Sequence, residues 1–507
     1  MKVHNERKAG VILSYVNTAV GFIVSLAYTP IMLRLLGQSE YGVYQAAASV
    51  ISYLSLFSLG FASAYMRFYA RYKTQNDEDG IKKLNSLFLL VFSFAAILTF
   101  IAGGVLTSMP DVVFGTKFSS SELNTSQILL ALMSMNMSIT FIDSVFQMYI
   151  NAQEKFTFMR ILNILSTVLR PMVTLPMLLM GYGSVGLTVA STFVTVGIFI
   201  ADIFYARKYG IAFKMGKPDF ALLKEIAVFS FFIFISSVAA TINGTIDKLL
   251  LGRYVGSEAV SVYEIGDKFN LYLMQFSVMI STVFVPKVNM MVAEKDSNKD
   301  LSDLMIRIGR IQFILLAFVL GGFILVGRFF INIYAGTEYD NSYFIAIIIM
   351  IASFVPYIQN VGIEIQKAKN KHVFRSVAYL LIAVANIGFS IPFIKALGIN
   401  GAAVGTAVSL FLGTNIIMNI YYAKGIKLHM GRFWKSMLKP AVAFALSFIP
   451  CFVATRFFAV NSIIRMIIVI IVFSALYIIT MSMIGANDYE KGLVKSFIPH
   501  KNLKSKR

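Results

Sequence analysis

An arginine in the middle of an apolar run is the residue with the most chemistry to offer in this chain. Arg170 is followed at once by Pro171 and then by Pro176. If the run is a membrane helix, an arginine there costs at least ~2.5–3.5 kcal/mol unless it faces protein or water. The prolines free backbone groups, which is tolerated at depth only beside a protein-lined or watered cavity. Two roles fit. A guanidinium fork matches phosphate oxygens and could bind an anionic headgroup; alternatively the arginine is structural and pairs with a carboxylate between helices, Asp143 being the candidate. The matching position in the second half of the chain falls near Asn386, also polar and also mid-run.

A second cluster comprises Asp247 and Lys248, then Glu264, Asp267, Lys268 and Asn270. Three- and four-residue spacing puts Glu264, Asp267 and Lys268 on one helical face. They could bind substrate, carry a coupling ion or pair with one another. Arg34 and Glu40 hold the comparable place in the first half. Glu364, beside Gln359 and Asn360 after Pro356, either serves an ion or snorkels at a helix end. The substrate-binding candidates are therefore Arg170, Lys268, Asp267, Glu264, Asp247, Lys248, Arg34 and Asn386, and the ion-coupling candidates are Asp143, Asp267 and Glu364. The many Met and Phe side chains are expected to pack or to face lipid.

Other chemistries find no footing. There is no Walker A sequence and no Gly-x-Ser-x-Gly elbow. His4, His372, His429 and His500 lack metal-ligand spacing, and Cys451 is the single cysteine, so no metal, disulfide or cofactor is expected. The longest non-cytoplasmic segment, about 107–124, is too short for the catalytic domain of a membrane glycosyltransferase, so the chain does not read as an enzyme.

The elements that must position these residues are membrane helices. Hydrophobic residues make up 57% of the 507, charged residues 14%, and mean hydropathy is +0.74; this is a polytopic membrane composition. About fourteen apolar runs, from 11–35 to 464–484, can each cross ~30 Å of hydrocarbon. The first run outlasts a signal-peptide core and is expected to be retained. The net charge of +20 (45 Lys+Arg minus 25 Asp+Glu) does not indicate nucleic acid, which needs a basic patch on a folded surface. Instead the cations fall in alternate loops, around Arg67 to Lys83, Arg207 to Lys224, Lys367 to Lys371 and Lys424 to Lys435, with both termini in the same set. That set is expected to be cytoplasmic. The charged tail should attract anionic lipid.

The halves repeat. Pro176, Gly183, Gly186, Tyr205 and Arg207 have counterparts in Pro392, Gly398, Gly401, Tyr421 and Lys424, an offset of about 215–217 residues. The expected division is an N-lobe over 1–210, a C-lobe over 211–424, two further helices over 425–486 and a tail over 487–507. Six helices per lobe give parallel repeats around a central cavity, a plan suited to alternating access.

The run Leu35-Leu36-Gly37, Ser39-Glu40-Tyr41-Gly42 and Tyr44, echoed by Leu250-Leu251-Gly252, Ser257-Glu258 and Tyr263, resembles the signature of Wzx-type bacterial polysaccharide flippases. These belong to the multidrug/oligosaccharidyl-lipid/polysaccharide exporter superfamily. The resemblance runs from the first helix through Lys424. It implies transfer of an undecaprenyl-diphosphate-linked oligosaccharide from the inner to the outer leaflet of the bacterial cytoplasmic membrane. Membrane lipids, a polysaccharide polymerase and glycosyltransferases are the partners it implies. Arg170 and Lys268 would then neutralise the diphosphate. Peptidoglycan lipid flippases of the superfamily also have fourteen helices, but their arginine-rich first helix is not reproduced here. A cation-coupled multidrug exporter is the other member this chain resembles.

Overall fold

The computed structural model describes residues 2–497 apart from 59, 215, 217, 218, 295, 296 and 372; side chains are described over 13–493, apart from these and 232. Lys217, Lys295, His372, His500 and the tail beyond 497 lie outside the described residues, as do the side chains of Lys2, His4, Arg7 and Lys8. Among the described residues the structure is all helix and turn, without strands.

Twelve helices are long and apolar enough to cross a membrane, and a bent pair adds a thirteenth. The first of them runs over Leu13–Thr74, 62 residues, about three times the ~20 residues that one crossing needs. It is broken at Gly37 (φ 76, ψ 170), a left-handed conformation open to glycine, and so supplies two crossings. The total is fourteen. In chain order these are α1 (2–36), α2 (38–54 and Phe61–Thr74), α3 (Glu78–Ser108), α4 (Ser120–Ala152), α5 (Phe156–Leu179), α6 (Gly183–Lys208) and α7 (Phe220–Tyr254). There follow α8 (Ser257–Val283, bent by 44° into Val285–Ala293), α9 (Asn298–Tyr334), α10 (Ser342–Ile358, broken before Asn360–Ala368) and α11 (Val373–Leu397). The last three are α12 (Ile399–Lys424), α13 (Met430–Phe457) and α14 (Ile463–Gly485).

By its internal contacts the chain forms two compact units. One holds residues 1–264 and 379–405. Its core is aromatic, with Phe61, Tyr65, Phe88, Phe92, Phe141 and Tyr149 buried between α2, α3 and α4. Gly103 lets α3 meet α4, since an added Cβ would overlap Ser134. Polar atoms are met inside the fold: Tyr65 donates to Asn85 Oδ1 (2.7 Å), and Asn85 donates to the Ala212 carbonyl (3.0 Å). Without water in the bilayer core, such pairing is obligatory.

The other unit holds 265–378 and 406–507. Phe318, Phe444, Phe473 and Tyr477 pack between α9, α13 and α14, with Phe318 stacked on Phe473 and Phe444 edge-on to Tyr477. Arg310 of α9 is 6% exposed and reaches Glu490, in the helix Asp488–Phe497 after α14, through a two-pronged pair at 2.6 and 2.9 Å. Two further donors go to the carbonyls of Ser436 and Gly485. A guanidinium with four of its five N–H donors engaged therefore fastens the helix after α14 onto this unit.

Candidate functional site

The signature residues turn out to be joints. Glu40 lies three residues past the Gly37 break, and its Oε1 accepts from the Ser184 amide (2.6 Å) and hydroxyl (2.8 Å). It thereby meets the free donors at the start of α6. Gly183, at φ +58, sits where a Cβ would overlap that carboxylate. Tyr41 is fully buried and accepts a hydrogen bond from Gln45 (2.8 Å). Gly42 lies flush against the Ser257 carbonyl at the head of α8, leaving no room for a side chain. Arg34, on the last turns of α1, is exposed.

Arg170 is exposed on α5 and stands apart from every carboxylate among the described residues. Its only side-chain bonds are long ones, from Nε to Ser166 Oγ at 3.3 Å and from Nη2 to Thr195 Oγ1 at 3.4 Å. Both lie beyond the usual 2.7–3.2 Å range. The backbone around it is held: Thr174 Oγ1 donates to the Arg170 carbonyl (2.8 Å) and shares a hydrogen bond with Tyr28 of α1 (2.6 Å). The backbone here is tied to α1, while the guanidinium keeps only the two long hydroxyl contacts among the described residues.

The pairing of Arg170 with Asp143 is not made. Asp143 is 3% exposed inside the first unit and accepts from Gln147 Nε2 (2.8 Å). The same amide reaches Asp202 of α6 at 3.2 Å, and Asp143 Oδ1 has no hydrogen-bond partner. Two carboxyl groups from α4 and α6 thus meet over one neutral amide, an arrangement able to hold a proton or a cation. Asp202 is absent from the sequence candidates; the signal that could have found it was its position as a lone acid in an apolar run.

Around Asp247 three helices of this unit converge. Its Oδ2 accepts from Tyr263 (2.9 Å) and Asn386 (3.4 Å), and its Oδ1 accepts from Ser390 (3.0 Å). Asn386 and Asp247 were both legible as candidates, but Ser390 of α11 was not. Lys248 forms an ion pair with Glu264, both side chains mostly buried. Of the roles open to Glu264, pairing is the one seen here, and its partner is Lys248 on the preceding helix.

The second unit holds the rest. Asp267 and Lys268 are half-buried in α8, and Asp267 Oδ1 accepts from Asn270 (3.3 Å), which accepts in turn from Tyr357 (3.0 Å). The polar seam continues through Ser277, to which Asn360 (3.0 Å) and Gln312 (3.2 Å) donate. Gln359 and Asn419 exchange bonds at 3.0 and 3.2 Å beside the break in α10. Glu364 pairs with Lys367 three residues on, at 2.8 Å, a local helix contact.

Fourteen apolar crossings among the described residues, with charged side chains on several of them, make this a polytopic membrane protein whose class is given by its family. Residues 8–292, more than half of the chain, match the family described as polysaccharide biosynthesis protein, and the chain belongs to it. None of the curated proteins matches it in sequence. Among solved structures it is similar to the lipid II flippase MurJ in an inward closed conformation, with TM-score 0.74 and 17% identity over 96% of this chain and 100% of that one. It is also similar to an inward-facing multidrug resistance MATE family transporter, with TM-score 0.61 and 12% identity over 80% of this chain and 96% of that one. A mutant of the Vibrio cholerae MATE transporter VcmN gives TM-score 0.55 and 13% identity over 83% and 98%. At these identities the likeness is one of fold.

Proposed function

We propose that this protein moves an undecaprenyl-diphosphate-linked oligosaccharide across the bacterial cytoplasmic membrane, from the inner to the outer leaflet, for surface polysaccharide synthesis. The observation that carries the reading is Arg170, an exposed guanidinium on a proline-containing membrane helix without a carboxylate partner among the described residues. Its charge and fork geometry suit a diphosphate. Lys268 supplies a second cation, and Arg34, Asn386 and the Asp247–Lys248–Glu264–Asp267 group contribute polar contacts along the glycan path. Membership of a polysaccharide biosynthesis family supports the substrate class.

In this reading the sequence halves 1–210 and 211–424 act as lobes that rock about the headgroup while the lipid tail stays in the bilayer. Helices over 425–486 and the tail 487–507 complete the chain. No covalent bond is made or broken, so the protein is a carrier and not an enzyme. The buried Asp143–Asp202 pair, with Asp267, provides for ion coupling; Glu364 serves less, being occupied by Lys367. Both termini lie in the cytoplasm with the cation-rich loops.

Two relatives offer further readings. The full-length likeness to a lipid II flippase favours a peptidoglycan precursor, and the buried carboxylates favour cation-coupled drug export. Purified protein in proteoliposomes separates the three. Transfer of fluorescent undecaprenyl-diphosphate oligosaccharide, with neither lipid II nor lipophilic cations moved, is the expected result. Transfer of lipid II alone, or of drugs alone against a proton or sodium gradient, overturns it.

A further inference from the structure

At the cation-poor end of the first unit a single carboxylate holds three helices together. Glu122 is the third residue of α4 and half-buried. Its Oε2 accepts from the Ser119 amide (2.8 Å), and the Ser119 hydroxyl accepts from the Glu122 amide, a reciprocal cap. That leaves Oε1, which accepts from Ser39 Oγ (2.6 Å), just after the Gly37 break, and from Ser257 Oγ at the head of α8.

Three neighbouring contacts bring the same pieces together. Arg253, at the end of α7, donates to the Val112 carbonyl at 2.7 Å. Gly115, at φ +74, lies where a Cβ would stand 3.2 Å from Arg253 Cγ. Gly42 abuts the Ser257 carbonyl so closely that no larger residue fits. Together they clasp the turn between α7 and α8, residues 253–257, to the start of α2 and to the short segment 110–117 between α3 and α4.

We propose that Glu122 is a latch that keeps the cation-poor end of the transporter shut, and that its clasp on Ser257 must release in each transport cycle. The division of labour between its two oxygens carries the inference. Oε2 is spent within α4, so the carboxylate stays aimed when Ser257 departs and the clasp can form again without a search through rotamers. Oε1 makes only contacts between helices. Both hydrogen bonds there are to an ionised acceptor, strong enough to hold the closed state yet replaceable by water once the turn moves away. The proposal rests on the alternating-access reading above and on the assignment of the cation-poor end to the outer face.

The test uses Ser261→Cys, a near-isosteric reporter one turn below Ser257 and fully buried, in full-length protein carrying Cys451→Ser. Labelling by an impermeant maleimide is followed in intact cells and in inverted vesicles. Glu122→Gln preserves the cap, since glutamine also serves at that position, but weakens both clasping bonds; labelling in intact cells should accelerate roughly tenfold or more. Gly42→Ala, a wedge against the Ser257 carbonyl, should do the same. Unchanged rates in both variants overturn the latch, and acceleration only in inverted vesicles overturns its placement at the outer face. Separately, Ser39→Cys with Ser257→Cys should cross-link under mild oxidation and stop transfer of fluorescent undecaprenyl-diphosphate oligosaccharide, with recovery on reduction. Transfer that persists in the cross-linked protein refutes an obligatory release. Absence of transfer even before oxidation, with the labelling result intact, counts against the substrate and leaves the latch standing.

Discussion

Replacing Arg170 by alanine should separate transport from folding more cleanly than any other change in the chain. Its structural ties are two hydrogen bonds to hydroxyls at 3.3 and 3.4 Å. Even well-formed bonds of this kind contribute only about 0.5–1.5 kcal/mol each, and these are long. Removing a charge from an apolar helix also relieves an insertion penalty of at least ~2.5 kcal/mol. The two effects offset, so abundance in the membrane and the melting temperature in detergent should stay near the wild-type values. Transport should not. If the guanidinium grips the diphosphate with two charge-assisted bonds of about 1.5–3 kcal/mol each, their loss amounts to roughly 3–6 kcal/mol, or about a hundredfold or more in initial rate. Arg170→Lys keeps the charge but not the fork and should fall between. The assay is the initial rate of transfer of labelled undecaprenyl-diphosphate oligosaccharide in proteoliposomes, normalised to folded protein. A wild-type rate for Arg170→Ala would falsify the headgroup role. A melting temperature that drops along with the rate would make Arg170 a structural residue instead.

The remaining predictions concern topology, the C-terminal clamp and phenotype. With Cys451 replaced, cysteines at Lys73 and Lys214 should resist an impermeant thiol reagent in intact cells while one at Asn124 reacts; labelling at Lys214 from outside reverses the orientation. Arg310→Ala leaves Glu490 buried without its partner and should destabilise by about 3–5 kcal/mol, seen as a lowered melting temperature in detergent. Arg310→Met combined with Glu490→Leu should recover most of that loss, and no recovery would mean that the ion pair itself, and not relief from an orphaned charge, holds the helix 488–497. In cells, deletion should deplete a surface polysaccharide while overexpression gives no protection against lipophilic cations, because a cationic site repels them. Intact glycan with drug sensitisation on deletion would instead favour the drug exporter.

Hydropathy and charge in the sequence determined the crossings. Runs of apolar residues must become helices in lipid because each backbone donor and acceptor has to be paired within its own segment. That two crossings meet near Gly37 was legible as a gap between apolar runs, but the choice of Gly37 over Gly42 for the break belongs to the fold. Arg170 was legible because a charge surrounded by apolar residues has few explanations. Its partners were not. Asp143 was as good a partner by sequence as any, and only packing revealed that it turns toward Gln147 and Asp202 instead. The same holds for Glu264, whose spacing to Asp267 and Lys268 left substrate binding, ion coupling and mutual pairing open and whose side chain reaches back to Lys248. Glu40 and Glu122 show the limit most clearly. Both are acids beside serines near helix ends, yet one caps α6 and the other joins Ser39 to Ser257, which lie far apart in the chain. Periodicity gives the face of a helix on which a side chain sits; which residue it meets depends on how helices distant in sequence are set against each other, and that is fixed by packing and by the pairing of every buried polar group at once.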